Sequence, residues 1–210
     1  MEKYEEITRE VLAPENIPDP GIIVLGRFQP FHRGHAFLVR SAIEVWENSN
    51  REMPLRIVIG SANKEESPDN PWTWEERKLM IETWLSSEEI DNLELIEISP
   101  VPDINNPPKW VAHAEKYHGK SGLLVTSDEV TGKLYSDSGW EVTHVKYSQR
   151  ESFEGWRVRE TAKMLSTVLD EDARKKILSV TIPECIVEWL VLDDRIKRLA
   201  FLGPDVEYVG

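Results

Sequence analysis

The densest group of residues able to do chemistry lies at residues 26–35, which read GRFQPFHRGH. The string holds two histidines, His32 and His35, and two arginines, Arg27 and Arg33. Imidazolium and guanidinium groups donate hydrogen bonds to phosphate oxygens and stabilise charge that develops there, with no covalent step needed. An isolated histidine pair is more often a structural feature of a helix start, but the whole string favours binding. We therefore predict that this segment binds a polyphosphate.

Two predicted elements hold this segment in place. An apolar run at residues 21–26 predicts a strand that is buried on both faces, as in a parallel sheet. After the segment, apolar residues recur at helical spacing over residues 36–46. A helix N-terminus offers backbone N–H groups to an anion, and Gly34 lets a ligand approach the backbone closely. The predicted site thus lies between the end of a strand and the start of a helix.

The same alternation of elements continues along the chain. Residues 100–108, rich in proline and asparagine, are predicted to be irregular. Strands that alternate with helices at this spacing indicate βαβ units, hence a Rossmann-like α/β fold with a doubly wound parallel sheet. Ligands bind at the carboxyl ends of the strands in such folds. Further strands are predicted at 55–60, 93–98, 123–126 and 141–147, and further helices at 73–85, 110–117, 130–136 and 155–167.

Composition limits the class of partner. The chain has 210 residues and a formal net charge of −13, whereas a general nucleic-acid binder needs a basic surface, so we expect no nucleic-acid partner. A small nucleotide remains compatible because a few local donors can outweigh a repulsive overall field. The single cysteine, Cys185, excludes an intramolecular disulfide. We expect it to be a buried or half-buried apolar residue.

The chain shows no signal for export or for membrane insertion. Its acidic N-terminus lacks the apolar run of a signal peptide, and no stretch approaches the roughly 20 apolar residues of a membrane helix. We therefore expect a cytoplasmic protein with no membrane partner.

The string at residues 26–35 also resembles a family signature. It matches the (H/T)xGH motif of the nucleotidyltransferase superfamily and is similar to the GRFQPFHxGH form of archaeal-type nicotinamide-nucleotide adenylyltransferases. The resemblance extends over residues 21–165. It implies transfer of AMP from ATP to nicotinamide mononucleotide, with Mg²⁺ accompanying ATP, pyrophosphate leaving and no metal site built by the protein. It also implies that His32 and His35 are catalytic, and that Gly26, Arg27, Phe28, Gln29 and Gly34 bind nucleotide.

Two further segments resemble the family, the first a loop that covers the nucleotide site in the family and the second its acceptor segment. Residues 59–77 contain IGSA, NPWT and ER, in the order of the family's GSA…NPFT…ER segment. Residues 102–111 resemble DIxxxxxWV, whose tryptophan stacks on the nicotinamide ring, a flat cation that suits an aromatic face. Pro107 stands where the family often has asparagine, so contacts to the acceptor amide have moved or been lost. The implied acceptor-binding residues are Ser61, Asp103, Asn106 and Trp110, with a core position as the alternative for Trp110.

The remaining resemblances concern adenosine and the triphosphate. Ser127 and Asp128 stand where family members place small polar groups against the adenosine. Residues 154–159 read EGWRVR where the family's second signature reads SGTEIR. This match implies that Arg159 is catalytic and that Arg150, Gly155 and Arg157 bind nucleotide.

The second signature departs from the family where Glu154 and Trp156 replace serine and threonine. A desolvated, unpaired carboxylate beside a triphosphate is repulsive, and Arg157 is an added positive charge that partly offsets it. The departure supports one alternative, a catalytically impaired homologue that still binds nucleotide. Another is a cytidylyltransferase or pantetheine-phosphate adenylyltransferase, which would keep the HxGH loop. A hydride-transferring Rossmann enzyme fits poorly because GxGxxG does not follow the first strand.

The predicted organisation is one catalytic unit with two extensions. Residues 1–20 form a lead-in with a weakly signalled helix at 2–12, and residues 21–168 form the nucleotidyltransferase domain. Residues 169–210 form a C-terminal helical extension packed on the same domain, with helices at 170–178 and 183–192. In relatives this last part helps in assembly, so we expect a homo-oligomer.

Overall fold

The computed structural model describes residues 10–146 and 153–202. The predicted nucleotide-binding residue Arg150 lies outside these described residues, as do residues 1–9 of the lead-in and residue 147 of the fifth predicted strand. The described strands and helices follow in chain order. They are β1 (Ile22–Gly26), α1 (Arg33–Asn48), β2 (Leu55–Ile59), α2 (Trp74–Ser87), β3 (Ile96–Pro100), α3 (Pro107–His118), β4 (Leu123–Thr126), α4 (Glu129–Asp137), β5 (Glu141–His144), α5 (Gly155–Leu165), α6 (Glu171–Leu178), α7 (Glu184–Val191) and α8 (Arg198–Phe201).

The strands form one parallel sheet in the order β3-β2-β1-β4-β5. Successive β1 side chains enter opposite apolar clusters, since Ile22 and Val24 belong to one and Ile23 to the other. Helices cover both faces, so the predicted Rossmann-like α/β fold is confirmed. The strand order reverses direction between β1 and β4, and the loops that leave these two strands open a crevice at their carboxyl ends.

The third strand is shifted from its predicted position. Leu93–Leu95 form a 3-10 turn after Asn92, whose φ of 62° lies in the left-handed region, and β3 begins only at Ile96. The register explains the shift, because β3 pairs with β2 from Leu55↔Ile96 to Ile59↔Pro100. The strand predicted at residues 93–98 is therefore wrong at both ends.

The irregular segment predicted at residues 100–108 is shorter in the structure. Pro100 closes β3, and α3 begins at Pro107 rather than at residue 110. Proline suits the first helical turn because its missing N–H would have no intrahelical partner and its φ is already helical.

The second helix, α2, lies closer to its predicted position, because Thr73 and Glu76 have the spacing of a capping box and form one.

The C-terminal helices share the main apolar core with the sheet. Ile186, Leu190 and Leu199 are buried in the same cluster as Val24 of β1. Because this packing is continuous, a division at residue 168 stays a prediction. Cys185 is half-buried, as expected.

The described part of the lead-in is not helical. Residues 10–12 have no regular structure, and the Val11 carbonyl accepts a hydrogen bond from the Tyr117 hydroxyl of α3. The weakly signalled helix at residues 2–12 therefore does not extend to its predicted end, because the chain there lies against α3. Across residues 10–146 and 153–202, no helix combines the length and the apolar character that a membrane span requires.

Candidate active site

A cavity of about 600 Å³ opens at the carboxyl ends of β1, β2 and β4. Its volume falls within the range of small-molecule sites, about 300–1,000 Å³. The loops after the strands supply most of the wall. The predicted site residues that it brings together are Gly26, Arg27, His32, Gly34, His35, Ser61, Asp103, Trp110, Ser127, Asp128 and Gly155.

His32 and His35 cap the start of α1 for each other. The Nδ1 atom of His32 accepts from the backbone N–H of His35 at 3.3 Å, and Nδ1 of His35 accepts from the backbone N–H of His32 at 3.3 Å. The two rings stack with their centroids 3.7 Å apart. A capping box of this kind normally uses Ser or Thr with Glu or Gln. Here imidazoles perform it, so the first helical turn fixes both rings at the cavity wall.

Both histidines are neutral at neutral pH. Burial, assisted by the positive charge of Arg159, lowers the pKa of His32 from 6.5 to about 3. Burial, then the neighbouring His32, lowers the pKa of His35 well below its usual value. In the free protein burial thus favours the neutral imidazoles over the imidazolium donors that the sequence predicts. Because Nδ1 of each ring accepts, the neutral ring carries its proton on Nε2, and His32 contributes an uncharged N–H donor beside Gly155.

The side chain of Phe28, predicted to bind nucleotide, lies beneath the loop. Phe28 has a φ of 53°, and its ring is fully buried against Phe31 and His35. A Cβ atom on Gly26 would come within 2.9 Å of this ring. Gly26 is therefore required for packing, and Phe28 supports His35 from below.

Gln29 was also predicted to bind nucleotide, but its side chain joins two loops. It is only 2% exposed. Its Nε2 donates to the Trp72 carbonyl at 2.7 Å, and its Oε1 accepts from the Trp72 N–H at 3.1 Å. A further bond reaches Asn70. Gln29 thus positions the β1–α1 loop against the β2–α2 loop, and its side chain is not part of the cavity wall.

Arg159, predicted to be catalytic, lies behind the wall. It is 6% exposed, and its guanidinium packs under Gly155, where a Cβ atom would come within 3.3 Å of Nη1. Nη1 donates to the Gln29 carbonyl and Nη2 to the Asp69 carboxylate, both at 3.1 Å. Burial, then the charge of Arg27, lowers its pKa below the usual arginine value. Its positive charge thus acts on the cavity across Gly155.

The substituted signature forms a small network at the cavity rim. The Glu154 carboxylate accepts from Arg157 Nε at 3.0 Å and from Trp156 Nε1 at 2.8 Å. The Arg157 guanidinium also lies over the Trp156 ring, 4.6 Å from its centroid. Glu154 and Trp156 line the cavity, whereas Arg157 does not. The Glu154 carboxylate is therefore paired, so the repulsion that an unpaired carboxylate would exert on a triphosphate is reduced.

Three of the four predicted acceptor residues, Ser61, Asp103 and Trp110, gather at the other end of the cavity. Ser61 Oγ donates to the Asp103 carboxylate at 3.4 Å, and Asn63 fixes the Asp103 backbone through bonds of 2.7 and 3.1 Å. Trp110 is half-buried and lines both the main cavity and an adjoining one of about 400 Å³. Asn106 is exposed and borders only the adjoining cavity. Trp110 thus packs on the core with one part and faces the cavity with another.

Ser127 and Asp128 border the cavity beside the start of α4. Asp128 Oδ2 accepts from the Thr131 N–H at 2.8 Å, so Asp128 is the N-cap of this helix. Its carboxylate therefore stabilises a helix start, whichever ligand the wall contacts.

Sequence reasoning gave no role to three polar residues that support the site. Arg77 is fully buried, and its guanidinium donates to the carbonyls of Arg27, Gly60 and Ser61 at 2.7, 2.8 and 3.2 Å. Burial lowers its pKa from 12.5 to about 10. Asn70 and Asp69 join the β2–α2 loop to Gln29 and Arg159. The sequence signals for them are the NPWT string, which begins at Asn70, and the ER pair, which contains Arg77; neither reveals these contacts, and Asp69 has no such signal.

Among the described residues, no three His, Cys, Asp or Glu side chains cluster so as to hold a metal ion. A divalent ion at this cavity would therefore need ligands from a bound molecule, as Mg²⁺ often takes them from phosphates.

Comparison with known proteins gives concordant matches. The cytidylyltransferase-like family model matches residues 23–181. The chain is 31% identical over 184 residues to a nicotinamide-nucleotide adenylyltransferase of Thermoplasma acidophilum, covering 88% of this chain and 92% of that one. It is 32% identical over 177 residues to a nicotinamide-nucleotide adenylyltransferase of Archaeoglobus fulgidus, covering 83% of this chain and 92% of that one.

A solved structure also resembles this chain. It is a bifunctional NMN adenylyltransferase/ADP ribose pyrophosphatase from Francisella tularensis, complexed with AMP and a Mn ion. Sequence identity is 27% and the TM-score is 0.52, and the match covers 69% of this chain and 42% of the bifunctional protein. This chain therefore corresponds to less than half of that protein.

Proposed function

This chain belongs to the cytidylyltransferase-like family, and from that premise we propose that it transfers AMP from ATP to nicotinamide mononucleotide, producing NAD and pyrophosphate. The observation that carries the proposal is a single cavity with a histidine-capped helix start at one end and the Asp103–Trp110 pair at the other. The curated relatives described above bear the name of this activity.

The triphosphate binds where the first turns of α1 and α5 meet. His32 offers a neutral Nε2–H donor there, and Arg27 and Arg159 supply positive charge. The backbone N–H groups at these two helix starts add to an anion-binding surface. Magnesium would come with the nucleotide as the MgATP complex and would neutralise phosphate charge, since residues 10–146 and 153–202 offer no cluster of His, Cys, Asp or Glu that could hold it.

The reaction requires no protein nucleophile. A phosphate oxygen of the mononucleotide forms a bond with the α-phosphorus of ATP, and the bond from that phosphorus to the bridging oxygen of pyrophosphate breaks. The protein positions the two substrates and stabilises the charge that grows on the phosphate oxygens. His35 lies nearest the α-phosphate in this arrangement, and His32 donates to a neighbouring oxygen.

The acceptor end of the cavity binds the nicotinamide ring. Trp110 offers an aromatic face to the cationic ring, and Asp103, held by Ser61 and Asn63, accepts from polar hydrogens of the acceptor. Lys64 Nζ lies 3.9 Å from the Asp103 carboxylate, which moderates the negative charge at this end. Cytoplasmic location and assembly into a homo-oligomer complete the proposal; the sequence supports the first and the family resemblance supports the second.

The deciding experiment incubates the protein with Mg²⁺, ATP and nicotinamide mononucleotide, and measures pyrophosphate release together with NAD by mass spectrometry. CTP in place of ATP, and phosphopantetheine in place of the mononucleotide, test the related transferases. Trp110→Ala should raise KM for the mononucleotide about 3- to 30-fold, as loss of a cation–π contact predicts, and leave KM for ATP unchanged. ATP binding without turnover on any acceptor would instead support the impaired homologue.

A further inference from the structure

Both amino groups of Arg159 are bound to acceptors of the same chain. Nη1 donates to the Gln29 carbonyl and Nη2 to the Asp69 carboxylate. The guanidinium lies directly behind Gly155, which lines the cavity. The Arg159 guanidinium, a group suited to binding phosphate, is thus separated from the cavity by Gly155. The Asp69 carboxylate helps to hold it in this position.

The two acceptors differ in how firmly they are fixed. The Gln29 carbonyl belongs to a buried loop whose side chain is tied to Trp72. The Asp69 side chain is 84% exposed, whereas that of Arg159 is 7% exposed. Because the Asp69 carboxylate stays in water, solvent and salt weaken its attraction to Arg159. A phosphate is a strong competitor because arginine binds it through two parallel charge-assisted hydrogen bonds.

The β2–α2 loop keeps its shape without this ion pair. The Asn70 side chain donates to the carbonyls of Lys64 and Glu65 at 3.0 and 3.2 Å. Backbone bonds of 3.0 and 3.2 Å join Ser67 and Asn70 in both directions. The ion pair between Asp69 and Arg159 can therefore break while the rest of the loop keeps its structure.

We propose that Asp69 is a displaceable counter-ion, which holds Arg159 behind Gly155 in the free protein and surrenders it to the triphosphate of the bound nucleotide. The inference rests on the proposed function in that the cavity must take a nucleoside triphosphate. Asp69 acts through Arg159 and is a positioning residue. Since the triphosphate must displace a carboxylate, Asp69 weakens ATP binding, and each binding event releases Asp69 from Arg159.

The test measures Kd for MgATP by isothermal titration calorimetry, without any acceptor, for wild type, Asp69→Asn and Glu65→Gln. Glu65 is exposed on the same loop, so its variant removes the same charge without touching Arg159. We expect Asp69→Asn to bind ATP about two- to fivefold more tightly, the scale of an exposed ion pair. Glu65→Gln should bind like wild type, and KM for the acceptor should not change in either variant.

A double-mutant cycle separates this mechanism from a general loss of negative charge. In an Arg159→Gln background, Asp69→Asn should no longer alter Kd for ATP. An equal gain in both backgrounds, an equal gain from Glu65→Gln, or no gain from Asp69→Asn would overturn the inference. A tighter Kd in a protein that forms no NAD would refute the proposed acceptor alone, while NAD formation with an unshifted Kd would refute this inference alone.

Discussion

Arg159 donates from Nη1 to the backbone carbonyl of Gln29 at 3.1 Å, across 130 residues of chain. The bond joins the β1–α1 loop to the N-terminal half of α5, so the two signature-like segments meet at one point. The charge of Arg159 also contributes to the low pKa of His32. A substitution in either segment should therefore alter the donors that the other presents to the cavity.

Replacing His32 by Asn separates its two roles. Asparagine is a strong N-cap residue and keeps the start of α1 intact, but it lacks the ring Nε2–H donor. We expect kcat to fall about 10²- to 10³-fold, as when one donor to a developing charge is lost, with little change in thermal midpoint. The matched control is Arg33→Gln, at the exposed first residue of α1, which should keep near-normal kcat. A His32→Asn enzyme as active as this control would refute the donor role.

The free energy of unfolding should decrease as the pH is lowered, because the buried histidines resist protonation in the folded protein. Burial lowers the pKa of His32 to about 3 and that of His118 to about 4, from 6.5. Below pH 6.5 the unfolded chain therefore binds protons at these histidines, whereas the folded chain does not. The histidines cost no stability above pH 6.5, and the free energy of unfolding decreases as the pH falls below it. Each histidine contributes a slope of up to about 1.4 kcal/mol per pH unit.

Urea unfolding at about pH 7.5, 6 and 5 measures this slope. The His32→Asn variant has one titrating group fewer and should lose stability less steeply than wild type. A free energy of unfolding that stays constant from pH 7.5 to 5 would show that the histidines are not held neutral by burial.

The sequence predicts the sheet well because β1 is a continuous apolar run and all residues of β2 except Arg56 are apolar, a pattern typical of buried strands. The sequence predicts the location of the binding site from one specific string, residues 26–35. It does not predict which side chains of that string face the cavity, because direction depends on backbone angles. The left-handed φ of Phe28 turns its ring under Gly26, and Gln29 points toward Trp72.

The supporting residues escape prediction for a different reason. Arg77 and Gln29 bind mostly backbone groups of distant loops, and such contacts leave no periodic pattern in the sequence. Asp69 resembles any exposed loop acid until the fold brings α5 beside it. The shift of β3 is also a tertiary effect, since pairing with β2 rather than local propensity decides where the strand begins.

The Glu154 network predicts how the substituted signature behaves. Arg157→Ala removes one cation from the Glu154 carboxylate beside the triphosphate, so KM for ATP should rise about two- to fivefold, the range for exposed ion pairs. The same substitution in a Glu154→Ser background should have less effect. Since Glu154 is already paired, Glu154→Ser with Trp156→Thr should raise activity little. A large gain from that double variant would mean that the natural residues impair the site.

Arg77 should be the most sensitive structural residue near the cavity. Its guanidinium satisfies the carbonyls of Arg27, Gly60 and Ser61 in a fully buried position. Arg77→Ala leaves these acceptors without that donor and opens a void, so we expect a loss of about 3 kcal/mol or more in the free energy of unfolding. Arg77→Lys keeps the charge but not the fork of donors, and should lose less. Urea unfolding of both variants measures the difference, and equal stability of Arg77→Ala and wild type would mean that water replaces the guanidinium at no cost.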